Sequence, residues 1–220
     1  MNKPVIVFGC SQISEMVYYD SKNHEDFEIA VFTVDTNYLM GKDTFLGLPL
    51  IDFAAIKEEY PPEEFDMILL YTGFQEHSTR DILYRRIKEK GYIFRSYVSS
   101  RADYDGPRKM GENNVIMAGA HVGIRGVMGD NNLIRQHVYL GHDFRVGSHC
   151  VVSPGCCIGS KVDMKDNCYL GLNATVINVK TIGKKTMIGA GAVVIQDTEP
   201  YSRHVGNPSR VIGYHKEEEI

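Results

Sequence analysis

The sequence predicts two unlike parts in one chain. A small parallel α/β sheet spans residues 1–105, a parallel β-helix spans 106–200, and a loop and tail fill 201–220. Three observations carry this. Apolar runs of strand length alternate with helical stretches over the first hundred residues. From Met110 onward an aliphatic residue returns every six positions. Glycine follows directly after most of those aliphatics.

The first part reads in order as follows. Val5-Ile6-Val7-Phe8 is a buried strand, turned at Gly9-Cys10-Ser11 into a helix from Ile13 to Tyr19. Ile29-Ala30-Val31-Phe32-Thr33-Val34 is a second strand, ending at Asp35. Leu48-Pro49-Leu50-Ile51 reads as a short edge strand, because proline lacks a ladder donor. Asp52 is placed to cap a helix that runs to about Tyr60. Met67 to Tyr71 forms another buried strand before Thr72-Gly73, and helical periodicity over 77–90 stops at Gly91.

The second part is a repeat. Val, Ile, Leu or Met stands at Met110, Ile116, Val122, Met128, Ile134, Leu140, Val146, Val152, Ile158, Met164, Leu170, Val176, Ile182, Ile188 and Val194, without one failure. Self-similarity at a period of six is the signature of a β-helix. Each hexad points one aliphatic inward and turns. Three sides close a coil of eighteen residues, so fifteen hexads make about five coils, each adding roughly 4.8 Å of height. Glycine is expected where the corner turns tightly, and small residues such as Ala120, Cys150, Cys168 and Ala174 where the inner corner is narrow.

Composition narrows the function classes. A formal net charge of -4 offers no basic surface for nucleic acid or an anionic membrane. No apolar run approaches the roughly 20 residues that span a bilayer, and MNKPVIVFGC reads as a strand start, not a signal peptide. Five cysteines, an odd number without scaffold spacing, fit a reduced cytoplasmic protein. Cys150 and Cys168, eighteen apart, are read as stacked buried thiols.

The chemistry concentrates in Tyr139-Leu140-Gly141-His142-Asp143-Phe144. His142 falls two residues past an inward aliphatic, so it belongs at a corner, outside the core. Asp143 can hydrogen-bond one ring nitrogen, fix the tautomer and raise the basicity of the other.

From here the chain resembles the bacterial sugar acetyltransferases of the sialic-acid O-acetyltransferase and bacillosamine-pathway N-acetyltransferase type. The motifs are the turn at 5–11, Asp35, Tyr97-Val98-Ser99, the GHD at 141–143, YLGLNA at 169–174, IGAGAVV at 188–194 and GNPSR at 206–210. The resemblance implies a left-handed β-helix behind a Rossmann-like nucleotide-sugar domain, and a homotrimer with active sites between subunits. It implies an acetyl-CoA-dependent N-acetyltransferase without a metal, acting on a nucleotide-linked amino sugar, of the 4-amino-4,6-dideoxy type, for surface glycans. His142 is then the general base and Asp143 its orienting partner. Residues eighteen apart stack, which places Ser160 beneath His142, and the family's oxyanion donor at that place is a main-chain N–H. Leu172 and Ala190, expected on the same side of the prism, line the pantetheine arm. Val151 occupies the place where some relatives carry a histidine against acetyl-CoA. Lys184 and Lys185 are candidates for the coenzyme phosphates and Arg210 for its adenosine end. Gly9, Ser11, Asp35 and Thr72 are candidates for the nucleotide sugar, at a βα turn and at strand ends.

Three other readings use the same residues. O-acetylation of a sugar hydroxyl would employ the same base. A zinc site like that of the β-helix carbonic anhydrases needs a histidine pair five apart, as His137 and His142 are. Its third histidine would fall at Arg101, and His121 is sixteen residues before His137, not a whole number of coils. A bare trimeric scaffold would need neither the GHD corner nor the α/β part.

Overall fold

The computed structural model describes residues 3–22, 27–72 and 79–215. Gly73, the first two residues of the helix expected over 77–90, and the tail from Lys216 to Ile220 lie outside them. The chain forms two compact units, 1–72 with 82–96, and 73–81 with 97–220.

In the first unit, β1 (Val5–Phe8) is flanked by β2 (Ile29–Val34) and β5 (Asp66–Leu69), all parallel. β3 (Thr44–Phe45) and β4 (Leu48–Asp52) extend the sheet to the order β3-β4-β2-β1-β5. Val5, Ile6, Val7 and the whole of β5 are fully or almost fully buried, as an apolar strand inside a parallel sheet should be. The helices are α1 (Gln12–Ser21), α2 (Thr36–Leu39), α3 (Ile56–Glu59) and α4 (Thr79–Glu89). The chain leaves β1 toward β2 on one side and returns to β5 on the other. The point where strand order reverses is therefore between β1 and β5.

Two expectations change here. The strand at Leu48 is not the edge, because the two-residue β3 pairs antiparallel with it, Thr44 opposite Pro49. Asp52 does not cap the next helix, which starts at Ile56 behind Ala55. Its carboxylate instead accepts from the Ala54 N–H at 2.9 Å and the Thr36 hydroxyl. An Asx turn satisfies the aspartate before the helix can use it.

The second unit is a parallel β-helix of seventeen two-residue strands, β6 (Tyr97–Val98) to β22 (Val193–Val194), laid into three sheets. Every strand pairs with one eighteen residues away, as Tyr139 with Cys157 and Leu140 with Ile158. The inward residues form columns such as Ile116, Ile134, Val152, Leu170 and Ile188, all fully buried. Such a side chain contributes roughly 1.5–3 kcal/mol by leaving water. The repeat starts two strands before Met110, because β6 and β7 (Asp103–Tyr104) stack under Val115–Ile116 and His121–Val122. Tyr104 at an inward place and a polar 105–109 stretch hide that start from an aliphatic count. At the far end β23 (Ser202–Val205) runs parallel to Met187–Ile188 and turns back as β24 (Arg210–Tyr214). Cys150 and Cys168 are buried and unbridged.

The glycines need a different explanation from the expected one. The residue with positive φ recurs every six positions from Asn113 to Gly191, and it is the third after the inward aliphatic, not the first. Asn, Asp, His, Lys and Arg fill most of these places. The glycine directly after the aliphatic is needed because the next coil passes too close. A Cβ on Gly141 would lie 2.7 Å from the Ser160 nitrogen, and one on Gly147 2.8 Å from that of Asp166.

Candidate active site

Three edges run along the prism, each a stack of corners. One carries Gly141–Phe144, with Gly123–Gly126 one coil before it, and Gly159–Val162 and Ile177–Lys180 after it. Here the chain is held from several sides. Phe144 is buried, and its ring fills the space that Gly126 leaves, since a Cβ there would meet it at 2.1 Å. The Asp143 N–H donates to the Ile124 carbonyl at 3.0 Å, and the Lys161 N–H to the His142 carbonyl at 3.0 Å. Asp143 takes a left-handed conformation, φ 56°.

The result is an exposed, ordered imidazole. His142 Nδ1 lies 2.6 Å from Asp143 Oδ2, with the histidine side chain 49% exposed. With the carboxylate ionised, Nδ1 carries the proton and donates, which leaves the Nε2 lone pair outward. Arg125 closes the arrangement from the previous coil. Its Nε donates to Asp143 Oδ1 and its Nη2 to Oδ2, each at 2.8 Å. Arg125, first, and the hydrogen bond from His142, second, hold the Asp143 carboxyl far below the usual carboxylate range. Neither Arg125 nor its role was anticipated from the sequence. Its signal was there, since Arg125 is eighteen residues before Asp143.

Ser160 lies beneath His142 as expected, but its N–H already donates to Asn178 Oδ1 at 2.8 Å. Asn178, eighteen residues further on, was also missed.

The residues expected to hold acetyl-CoA are not on this edge of the chain. Leu172 and Ala190 follow Tyr169–Leu170 and Met187–Ile188, whereas His142 follows Tyr139–Leu140 in a different sheet. Thirty residues separate His142 from Leu172, one coil and two thirds, so the expectation of one shared side is corrected. Leu172 and Ala190 are exposed on their own edge. Val151 is buried. Lys185 is buried on the third edge with its Nζ over the Tyr201 ring at 5.6 Å, and burial pushes its ammonium down. Lys184 beside it and Arg210 are exposed. His137 follows Leu133–Ile134 and so lies on the Leu172 edge, apart from His142.

In the first unit the strands bring together what the sequence suggested. Gly9 and Ser11 follow β1, Asp35 follows β2 and Thr72 follows β5, all at the carboxyl edge of three adjacent strands. A Cβ on Gly9 would lie 2.6 Å from the Leu70 carbonyl oxygen, at φ 127°. The Ser11 hydroxyl makes no capping bond at the start of α1. Beside them a cleft of about 290 Å³ is lined by Asp35, Thr36, Asp52, Phe53, Arg86 and Lys90, among others. Arg86 grips Asp35 through two hydrogen bonds of 2.6 and 3.0 Å, and Arg86 and Lys90 lie over the Phe53 ring. Among the described residues no helix is long and apolar enough to cross a membrane.

No family model matches the chain. Among curated proteins it is similar to the acyl-acyl-carrier-protein–UDP-N-acetylglucosamine O-acyltransferase of Burkholderia thailandensis, 33% identical over 90 residues, 41% of this chain and 34% of the relative. The counterpart from Nautilia profundicola is 29% identical over 86 residues, 39% and 33%. The matched stretch thus spans about a third of the length of these curated relatives. Among solved structures the likeness runs along nearly the whole chain. PerB of Caulobacter crescentus, in complex with CoA and GDP-perosamine, superposes with a TM-score of 0.84 at 22% identity, covering 96% of this chain and 97% of that one. The acetyltransferase domain of PglB from Neisseria gonorrhoeae, with acetyl coenzyme A, gives 0.84 at 19% identity, covering 96% and 100%. WeeI from Acinetobacter baumannii AYE gives 0.80 at 19%, covering 95% and 99%. At these identities the likeness is one of fold.

Proposed function

We propose that this chain is an acetyl-CoA-dependent N-acetyltransferase for a nucleotide-linked amino sugar. The observation that carries the reading is His142. It is an exposed imidazole, tautomer-fixed by Asp143, on the edge of a prism whose fold is shared end to end with an enzyme crystallised with CoA and GDP-perosamine. The left-handed sense of the winding, the Rossmann-like kind of the front sheet and a cytoplasmic setting, where acetyl-CoA and nucleotide sugars are available, belong to the same proposal.

The sugar amine attacks the thioester carbonyl. As the C–N bond forms, the amine proton passes to His142 Nε2, the C–S bond breaks, and the imidazolium returns that proton to the leaving thiolate. The Ser160 N–H is the oxyanion donor, a contribution of about 3 kcal/mol. To act, it must exchange Asn178 Oδ1 for the acyl oxygen. The separation of the His142 and Leu172 edges supports a site shared between copies in a homotrimer. The His142 edge of one copy would face the Leu172 and Ala190 edge of another, with Lys184 and Arg210 nearer the coenzyme phosphates than the buried Lys185. Gly9, Ser11, Asp35 and Thr72 would hold the nucleotide sugar at the strand ends.

The test is thiol release from acetyl-CoA with a panel of GDP-, dTDP-, UDP- and CMP-linked 4-amino sugars. Turnover with at least one, lost in His142→Ala, is the expected result. A second reading, O-acylation, is favoured by the curated relatives, which are O-acyltransferases. Transfer to a sugar hydroxyl with no amine accepted would decide for it.

A further inference from the structure

We propose that Arg125 is a positioning residue for the acyl transfer, locking the Asp143 carboxylate in the one orientation that presents the His142 ring. This rests on the reading of His142 as the base. His142 and Asp143 are sequence neighbours on an exposed corner, where a lone ion pair is weak and holds neither side chain firmly. Arg125 changes that from a different coil. Its fork engages both carboxylate oxygens at 2.8 Å, and Oδ2 is shared with His142 Nδ1 at 2.6 Å. Planar two-point binding fixes the carboxylate plane, which a lysine could not do.

The two partners occupy equivalent corners one coil apart, both with positive φ, 60° and 56°. The β-helix register therefore sets the pair, and neither side chain has to search for the other. The fold itself does not need it. The Arg125 side chain is 58% exposed, so no buried charge is being neutralised. What the pair supplies is order and protonation state. Asp143 stays an acceptor across the working pH range, so the proton of the neutral imidazole stays on Nδ1 and Nε2 faces the acceptor sugar.

The experiment is a kinetic double-mutant cycle on the full chain, with thermal unfolding measured alongside. Arg125→Ala is expected to lower kcat about ten-fold, with both KM values within about two-fold and Tm nearly unchanged. Arg125→Lys should recover part of the loss, and added guanidinium should rescue Arg125→Ala but not Arg125→Lys. In an Asp143→Asn background, Arg125→Ala should change kcat by less than about two-fold, because its route to the ring is already gone. Full additivity with Asp143→Asn would overturn the proposal, as would a rise in KM at constant kcat, which would make Arg125 a substrate contact. Failure of the base assignment looks different. His142→Ala would then leave turnover intact, whatever Arg125 does.

Discussion

Two edges of the same prism carry a histidine beside a carboxylate, and they make opposite use of it. His142 and His149 are seven residues apart, on successive corners of one backbone repeat. The His149 edge is closed. Asn131 takes hydrogen bonds from Arg80 and Asn113 on its Oδ1, and its Nδ2 donates to the Arg80 carbonyl and to His149 Nδ1 at 2.8 Å. Asp81 lies 3.5 Å from Nε2, and the His149 side chain is 14% exposed. That network makes Nδ1 the acceptor and puts the proton on Nε2. On the His142 edge Nδ1 donates, so the free lone pair is the outward one. The repeat delivers a histidine to a corner, and the second residue it meets decides whether the ring is closed in as a strut or left with its free lone pair facing outward.

The sharpest way to break this comparison is to remove each ring in turn. His142→Asn should lower acetyl transfer by about 10²–10⁴-fold with little change in Tm. His149→Asn should leave kcat within a few-fold and lower Tm. Comparable catalytic losses from both would mean that the two edges do not differ in the way argued.

The next effect is on stability. Asn131→Ala leaves the buried Arg80 guanidinium, the Asn113 amide and His149 each short of a partner, and places an alanine at φ 58°. A loss of about 3–5 kcal/mol in denaturant unfolding is expected, with the chemistry spared in whatever remains folded. The counterpart on the exposed edge is Asn178→Ala. It frees the Ser160 N–H at a solvated corner, so stability should change by less than about 1 kcal/mol. If the acyl oxygen competes with Asn178 for that N–H, kcat/KM for acetyl-CoA rises a few-fold. An unchanged value removes Ser160 from the oxyanion role.

Much of this was readable in the sequence, because a period of six leaves no freedom. Once Leu140 points inward, Gly141 must pass the next coil, His142 must lie at a corner, and Ser160 must stack on it. The same arithmetic contains Arg125, one coil before Asp143, and Asn178, one coil beyond Ser160, but a stacking rule gives position and not which side chain will bond across it. It also contained the offset of Leu172, since thirty residues is not a multiple of eighteen. The burial of Lys185 was not legible. It depends on Tyr201, a residue beyond the last hexad, and no repeat rule fixes where that chain returns. In the α/β unit the four long strands were plain from their apolar runs. α2 and β3, four and two residues long, have too few residues to carry a period.

The smallest expected effect is a pH dependence, and it belongs to two buried histidines, one of them on the closed edge. Burial, first, pushes the His149 pKa down from its ordinary 6.5, with Asp81 only partly opposing it. Burial does the same to His204, whose Nδ1 has no hydrogen-bond partner among the described residues and whose Nε2–H donates to Ser202 Oγ at 2.8 Å. In the window between each lowered folded value and the unfolded value near 6.5, the unfolded chain binds more protons than the folded one. Stability therefore rises with pH there. The contribution is complete above about pH 6.5 and is lost as pH falls through the folded values. Urea midpoints should accordingly drop between pH 7 and pH 5. His149→Gln should flatten that slope, because glutamine can keep a hydrogen bond to Asn131 without ever taking a charge. A slope unchanged in both His149→Gln and His204→Gln would mean that these buried rings are not what acid attacks, and that the closed edge is held as firmly when protonated as when neutral.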